Sequence, residues 1–179
     1  MWQRLTPREL AVACRFVLLR ARYPHMRGGP FSLGPGHEIR LEREARVQVG
    51  RGVRFSRDFS AYVLGTLQIG DGVFFNRGCS LAVYSSLQIG AGTLFGEYVS
   101  IHDENHALSP LELPLAQRGY TVAPITIGSN VWVAAKVTIL PGVQIGDNAV
   151  IGANAVVTGP IPANSVAVGA PARVVRMLI

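Results

Sequence analysis

The chain has 179 residues, nearly half of them hydrophobic (49%), which suffices for one domain with a continuous core. Twenty glycines, eleven prolines and few aromatics suit many tight corners and argue against a helical bundle, and no apolar run reaches the ~18 residues that would span a bilayer. The net charge of +6 is concentrated: residues 1–27 carry six arginines and one glutamate, while the remainder is within one charge of neutral. No aromatic platform or recognised motif accompanies that charge, so no nucleic-acid partner is expected. Cys14 and Cys79 show no framework spacing; both read as structural thiols in a reducing, cytoplasmic compartment.

Residues 1–30 read as a basic amphipathic helix and linker. Thr6-Pro7-Arg8-Glu9 has the form of a capping box, with proline at the first helical position. A helix from about Pro7 to Ala21 follows, placing Leu10, Cys14, Val17, Leu18 and Ala21 on one side. Tyr23-Pro24 and Gly28-Gly29-Pro30 end it. Two readings compete: residues 1–27 lie on an anionic membrane surface, peripheral at the inner membrane, or the helix packs against the following domain or a neighbouring subunit. The second is expected. Arg15 interrupts the apolar run and no small-residue cleavage site follows, so a secretory leader is not expected.

Residues 31–179 are repetitive. HEIRLEREARVQ supplies an incomplete first coil. From Val49 a 20-residue unit recurs, aligning Val49 with Ile69 and Ile89, Phe55 with Phe75 and Phe95, and Ala61 with Leu81 and Ile101. After Ile101 the register breaks for an excursion over 102–124, which holds two of the four histidines. Long excursions from rigid scaffolds commonly carry function. Strict sixes then run to Thr158: an aliphatic residue returns at Ile127, Val133, Ile139, Ile145, Ile151 and Val157. Four places after each of the first five come Val131, Val137, Val143, Ala149 and Ala155. A period of six fits neither a helix nor simple alternation; it is the hexapeptide signature of a parallel β-helix, three sixes to a triangular coil. Five to six coils would make a prism ~25–30 Å long. Pro160, Pro162 and Pro171 mark a C-terminal cap over 159–179.

These hexads, with the tail GAPARVVR, resemble the hexapeptide-repeat acyltransferases, in particular the sugar and polysaccharide O-acetyltransferases, over residues 36 to 179. The resemblance, not the period, implies a left-handed coil, an exception to the usual right-handed crossover. It also implies acetyl-CoA as co-substrate and a homotrimer with sites between subunits, one supplying His106 and Asn76 and its neighbour part of the CoA wall.

Acyl transfer from a thioester to a hydroxyl needs a base, a task suited to histidine at neutral pH, and fixed donors for the tetrahedral oxyanion. His106 fits the base. As in the family resembled, it lies five residues past the last aliphatic of a coil and is followed closely by Leu108, although Ala107 replaces a frequent proline. His102 is read as structural or supporting, Asp103 or Glu104 as orienting the imidazole, and His25 and His37 as surface residues. Asn76 matches an asparagine that contacts the acceptor or reacting centre. Val83-Tyr84 stands where small-sugar members carry Asp, which speaks against a galactoside- or maltose-like acceptor. Trp132 matches a residue flanking the thioester, and the Ala135 N–H an oxyanion or pantetheine donor. Ala153 and Thr158 match positions further along the groove, and Arg173 and Arg176 would meet the nucleotide phosphates. Gly159 replaces a common lysine.

The chain thus reads as an O-acetyltransferase acting on a saccharide acceptor in surface polysaccharide or glycolipid assembly. The alternatives are N-acetylation of an amino sugar or drug, and a non-catalytic scaffold. Serine acetyltransferases carry a larger helical N-terminal domain than residues 1–27 allow, and nucleotide-sugar N-acetyltransferases often carry an additional α/β domain that is not expected here. A metal-dependent carbonic anhydrase on the same scaffold needs three metal-binding histidines, and the coils lack the third, so no metal is expected.

Overall fold

A computed structural model describes residues 6–179, apart from the side chains of Arg8 and Glu9. The capping-box partner Glu9 therefore lies outside the described residues. Three parallel sheets form the flat faces of a triangular solenoid. Face A begins with Arg27–Gly28 and ends with Gln144–Ile145. Face B runs from Ser32–Leu33 to Ser165–Val168, and face C from Glu38–Leu41 to Val156–Val157. Faces A and C each hold six strands, so six coils are complete, and Ile161 bridges to Ile145 to open a seventh.

The inward columns follow the expected alignment. Val49, Ile69, Ile89, Ile127 and Ile145 stack in register on face A. On face C, Ala61, Leu81, Ile101, Ile139 and Val157 do the same. Face B turns a phenylalanine column inward: the Phe55 and Phe75 rings stack at 5.2 Å, and Phe75 and Phe95 at 4.6 Å. All these side chains are buried. Each coil presents short strands with one apolar edge and cannot bury it alone; the coils above and below complete the core.

Corners are made by residues that tolerate positive φ. Asn130, Asn148 and Asn164 sit one above another at φ 54°, 57° and 54°, and their carboxamides form a ladder, each Nδ2–H donating to the next Oδ1 at 2.8 Å. Asparagine suits this position because its short polar side chain supports the left-handed conformation locally.

The sequence reading is adjusted at both ends. The stretch read as linker already belongs to the solenoid: Arg27–Gly28 pairs with Gln48–Val49, at a point where a side chain on Gly28 would strike the Val49 carbonyl. Within the expected cap, Ser165–Val168 extends face B, and only Arg173–Met177 turns back, antiparallel, to close that edge.

Helix α1 (Pro7–Arg22) covers the first coil with the side opposite to the one expected to pack. Leu19 is buried, and Phe16 meets the Phe31 ring edge-on at 4.8 Å. The Arg15 Nε–H donates to the Leu33 carbonyl at 2.8 Å, and beyond the helix the Tyr23 hydroxyl donates to the Ile39 carbonyl. Leu10, Cys14, Val17, Leu18 and Ala21 face outward, with Val17 and Leu18 60% and 69% exposed. No described helix is long and apolar enough to cross a membrane.

The two thiols differ accordingly. Cys79 is buried, its Sγ–H donating to the Gly96 carbonyl at 3.2 Å, and burial pushes its pKa up to about 11. Cys14 is exposed. Titration with a disulfide reagent at pH 8 is therefore expected to modify one thiol per native chain, Cys14, and both after denaturation. Because the unfolded chain releases the Cys79 proton near pH 9 while the folded chain holds it to about 11, stability should fall across that window. Denaturation midpoints of Cys79→Ala should lack that part of the decline.

Candidate active site

The excursion leaves the solenoid where face C turns into face A, and its two stems zip together. Glu104–His106 pairs antiparallel with Tyr120–Val122, placing His106 opposite Tyr120. The coils resume without slipping, with Ile89 beside Ile127 and Ile101 beside Ile139. The tip of the excursion is held by Arg118, whose guanidinium donates to the carbonyls of Leu113, Leu108 and Leu111 at 2.8, 2.9 and 3.1 Å. Leu108 and Leu111 themselves are 77% and 79% exposed.

Asp103 anchors this departure. Its carboxylate is fully buried and accepts three backbone N–H groups, from Tyr84, Ser85 and Ser86, at 2.7–2.8 Å. A buried carboxylate is tolerable only with such a set of donors. Asp103 therefore does not orient the His106 imidazole. Glu104 does not do so either: its Oε1 lies 3.3 Å from His102 Nδ1, and the other ring nitrogen of His102 is 2.7 Å from the Ser100 hydroxyl. What flanks His106 is an aromatic ring, Tyr120, at 4.7 Å between centroids.

Tyr120 in turn lies 4.8 Å from Tyr84, and Tyr84 5.8 Å from Tyr62. Burial, then a hydrogen bond and charge coupling with Tyr120, push the Tyr84 phenol up to about 12, so it stays protonated at neutral pH. Sequence reasoning missed this row. Tyr62 and Tyr84 stand 22 residues apart, out of phase with the 20-residue repeat, and only the hairpin pairing brings Tyr120 to them.

The other expected site residues fall into two groups. Asn76, Ala135 and Ala153 lie on the edge between faces B and C, and Trp132 stands outward on face B, 55% exposed. Asn76 Oδ1 accepts the Arg77 N–H at 2.8 Å. Among the described residues, the Ala135 N–H has no acceptor. Trp132 continues an outward apolar column of Phe74, Leu94 and Val150. Arg173 and Arg176 lie exposed on the terminal antiparallel strand of face B. Thr158, by contrast, follows face C on the edge shared with the His106 hairpin, two coils further on.

Within one chain, then, His106 and Asn76 stand on opposite edges of face C, whose four-residue strands are ~13 Å long. The resemblance implied that one subunit supplies both; within one chain the two edges that carry them are a strand's length apart. His25 is exposed beside Tyr23, and His37 Nδ1 lies 3.0 Å from the Gly34 carbonyl. Among the described residues no group of three His, Cys, Asp or Glu could hold a metal ion.

Residues 124–159 match the family model described as bacterial transferase hexapeptide (six repeats). A galactoside acetyltransferase solved in complex with coenzyme A is 30% identical, with 98% of this chain and 74% of that one covered and a TM-score of 0.58. This chain belongs to the hexapeptide-repeat acetyltransferase family. A hexapeptide-repeat acetyltransferase from Vibrio cholerae, VCA0836, solved with acetyl coenzyme A, is 25% identical with a TM-score of 0.67, covering 93% of this chain and 78% of that one. The probable acetyltransferase Rv3034c of Mycobacterium tuberculosis is 35% identical over 96% of this chain, which spans only 58% of that protein's length.

The Asp103 geometry gives a direct test. Removing a charged acceptor from three buried donors should destabilise Asp103→Ala by roughly 3 kcal/mol or more, read as a lower urea midpoint, with faster proteolysis within 104–122. Glu104→Ala, which frees only a partly exposed contact, should change the midpoint little.

Proposed function

We propose that this chain is an acetyl-CoA-dependent O-acetyltransferase acting on a saccharide hydroxyl in surface polysaccharide or glycolipid assembly. The carrying observation is the placement of the site residues on two separate edges. His106 and Thr158 share one edge; Asn76, Trp132, Ala135 and Ala153 lie on or beside another. The halves meet only when the first edge of one copy faces the second edge of its neighbour, as in a cyclic homotrimer with three equivalent sites. Support comes from what a lone chain leaves uncovered: Leu108 and Leu111 on the excursion, and Leu94 and Trp132 on face B.

In this arrangement the donor supplies an activated acetyl thioester, and the chain's residues do the rest. His106 accepts the acceptor hydroxyl proton as the oxygen bonds to the carbonyl carbon. The Ala135 N–H, which has no acceptor among the described residues, donates to the oxyanion. The C–S bond then breaks, and the thiolate takes the proton back from the His106 imidazolium, with no acyl-enzyme. The Asn76 carboxamide holds the acceptor or the reacting centre. Trp132 flanks the thioester end, Ala153 and Thr158 line the groove from either wall, and Arg173 and Arg176 meet the phosphates. His106→Ala should lower kcat by about 10²–10⁴-fold while coenzyme A binding by calorimetry and the oligomer in light scattering persist. Full activity in this variant refutes the assignment. Consumption of amino sugars but not neutral ones would reassign the enzyme to N-acetylation.

The outward stripe of α1 adds a location. Leu10, Val17 and Leu18 form an exposed apolar ridge, with the exposed Arg22 one turn beyond Leu18, the combination that seats a helix in an anionic lipid surface. The chain would then be peripheral at the inner membrane. Flotation with phosphatidylglycerol vesicles should carry the wild type and protect Cys14 from modification, and Val17→Glu/Leu18→Glu should abolish both. A loss of trimer in that variant without any wild-type flotation would assign the ridge to a second copy instead.

A further inference from the structure

Besides His106, face C carries a surface that the transfer chemistry does not use. A groove of about 450 Å³ runs along it, with Ser60, Ser80 and Ala82 on its floor and Glu38, Glu42 and Tyr62 among its walls. The floor is cut back to small residues, and its hydroxyls are linked: Ser80 Oγ lies 2.9 Å from Ser100 Oγ, which lies 2.7 Å from His102 Nε2. Tyr62 donates to Glu42 Oε1 at 3.3 Å, and Arg40 pairs with Glu38 at 3.0 Å. From Tyr62 the aromatic row continues through Tyr84 and Tyr120 to the His106 ring, in steps of 5.8, 4.8 and 4.7 Å.

We infer that face C is an acceptor track for a neutral saccharide chain of more than one ring, laid from His106 past Tyr120, Tyr84 and Tyr62 to Glu42. The inference rests on the acetyltransferase reading above and names its substrate class. Three features carry it. Tyrosine rings offer flat apolar faces to the C–H faces of pyranoses, with a polar edge for their hydroxyls. Carboxylates, serines and an imidazole supply the acceptors and donors that sugar hydroxyls need. The length is decisive: the groove crosses the strands of four successive coils, three spacings or ~14 Å, more than one ring fills. Glu38 and Glu42 make the far end unsuited to the diphosphate of a nucleotide-linked sugar, since Arg40, the arginine that lines the groove, is already paired with Glu38.

The other faces lack this combination. Face A shows a file of glutamines, Gln48, Gln68 and Gln88, with no aromatic wall, and the outward column of face B runs from Arg54 into the apolar Phe74, Leu94, Trp132 and Val150, without carboxylates.

The test is binding of manno-, gluco- and galacto-oligosaccharides of one to four rings to the full chain, by saturation-transfer NMR and calorimetry. For at least one series, affinity should rise roughly tenfold from one ring to three, with the strongest transfer at pyranose C–H protons. Tyr62→Ala should abolish that rise, Tyr62→Phe should keep it, and coenzyme A affinity should be the same in all three proteins. The proposal is overturned if no series binds, if affinity ignores chain length, or if Tyr62→Ala binds like wild type. Acetyl transfer that needs His106 but ignores Tyr62 would remove the track and leave the enzyme. Length-dependent binding at Tyr62 without any coenzyme A binding would remove the enzyme and leave the track.

Discussion

Every feature of this molecule depends on one hydrogen-bond relation: a backbone N–H in one coil donates to a carbonyl in the next. At one corner the series runs without a gap, Gly50 to Ile69, Gly70 to Ile89, Gly90 to Ile127, Gly128 to Ile145 and Gly146 to Ile161, each at 2.8–2.9 Å. Coil spacing is thereby locked at strand-pairing distance, ~4.8 Å. A side chain on Gly90 would come within 2.4 Å of the Ser129 nitrogen, so the corner requires glycine for closeness rather than for φ. Once that spacing is set, which residues share a column, an edge or a face follows from position in the repeat.

That rigidity explains how separate residues become an arrangement. Asn76, Ala135 and Ala153 were singled out far apart in the chain and fall on one edge because the period puts them there. His106 belongs to no column. It is held instead by a two-stranded ribbon rooted in Asp103, whose buried carboxylate gathers the Tyr84–Ser86 turn of the preceding coil. A long insertion would otherwise let its histidine wander; three charge-assisted bonds at its base and the Arg118 clasp at its tip give it a defined path.

The solenoid was almost wholly legible in the sequence, since inward columns recur at a spacing no other fold uses. What could not be read were relations between residues out of phase with the repeat. Asp103 looked like a partner for a neighbouring imidazole because adjacency in sequence suggested it, whereas its carboxylate points to a turn 17–19 residues earlier. The apolar stripe of α1 was visible as a stripe, yet hydrophobic periodicity does not say which side faces the protein. Here Phe16 and Leu19 pack, and Val17 and Leu18 do not. Gly28 read as punctuation because a two-residue strand leaves no periodic trace; its role shows only against the Val49 carbonyl it touches.

The excursion enters and leaves the solenoid at one height, and the isoleucines on either side of it stack as though nothing intervened. The register of the coils is therefore independent of the insert, much as a shank keeps its form whatever tool head it carries. Changes at the tip, beyond the paired stems, need not disturb the stacking of the coils.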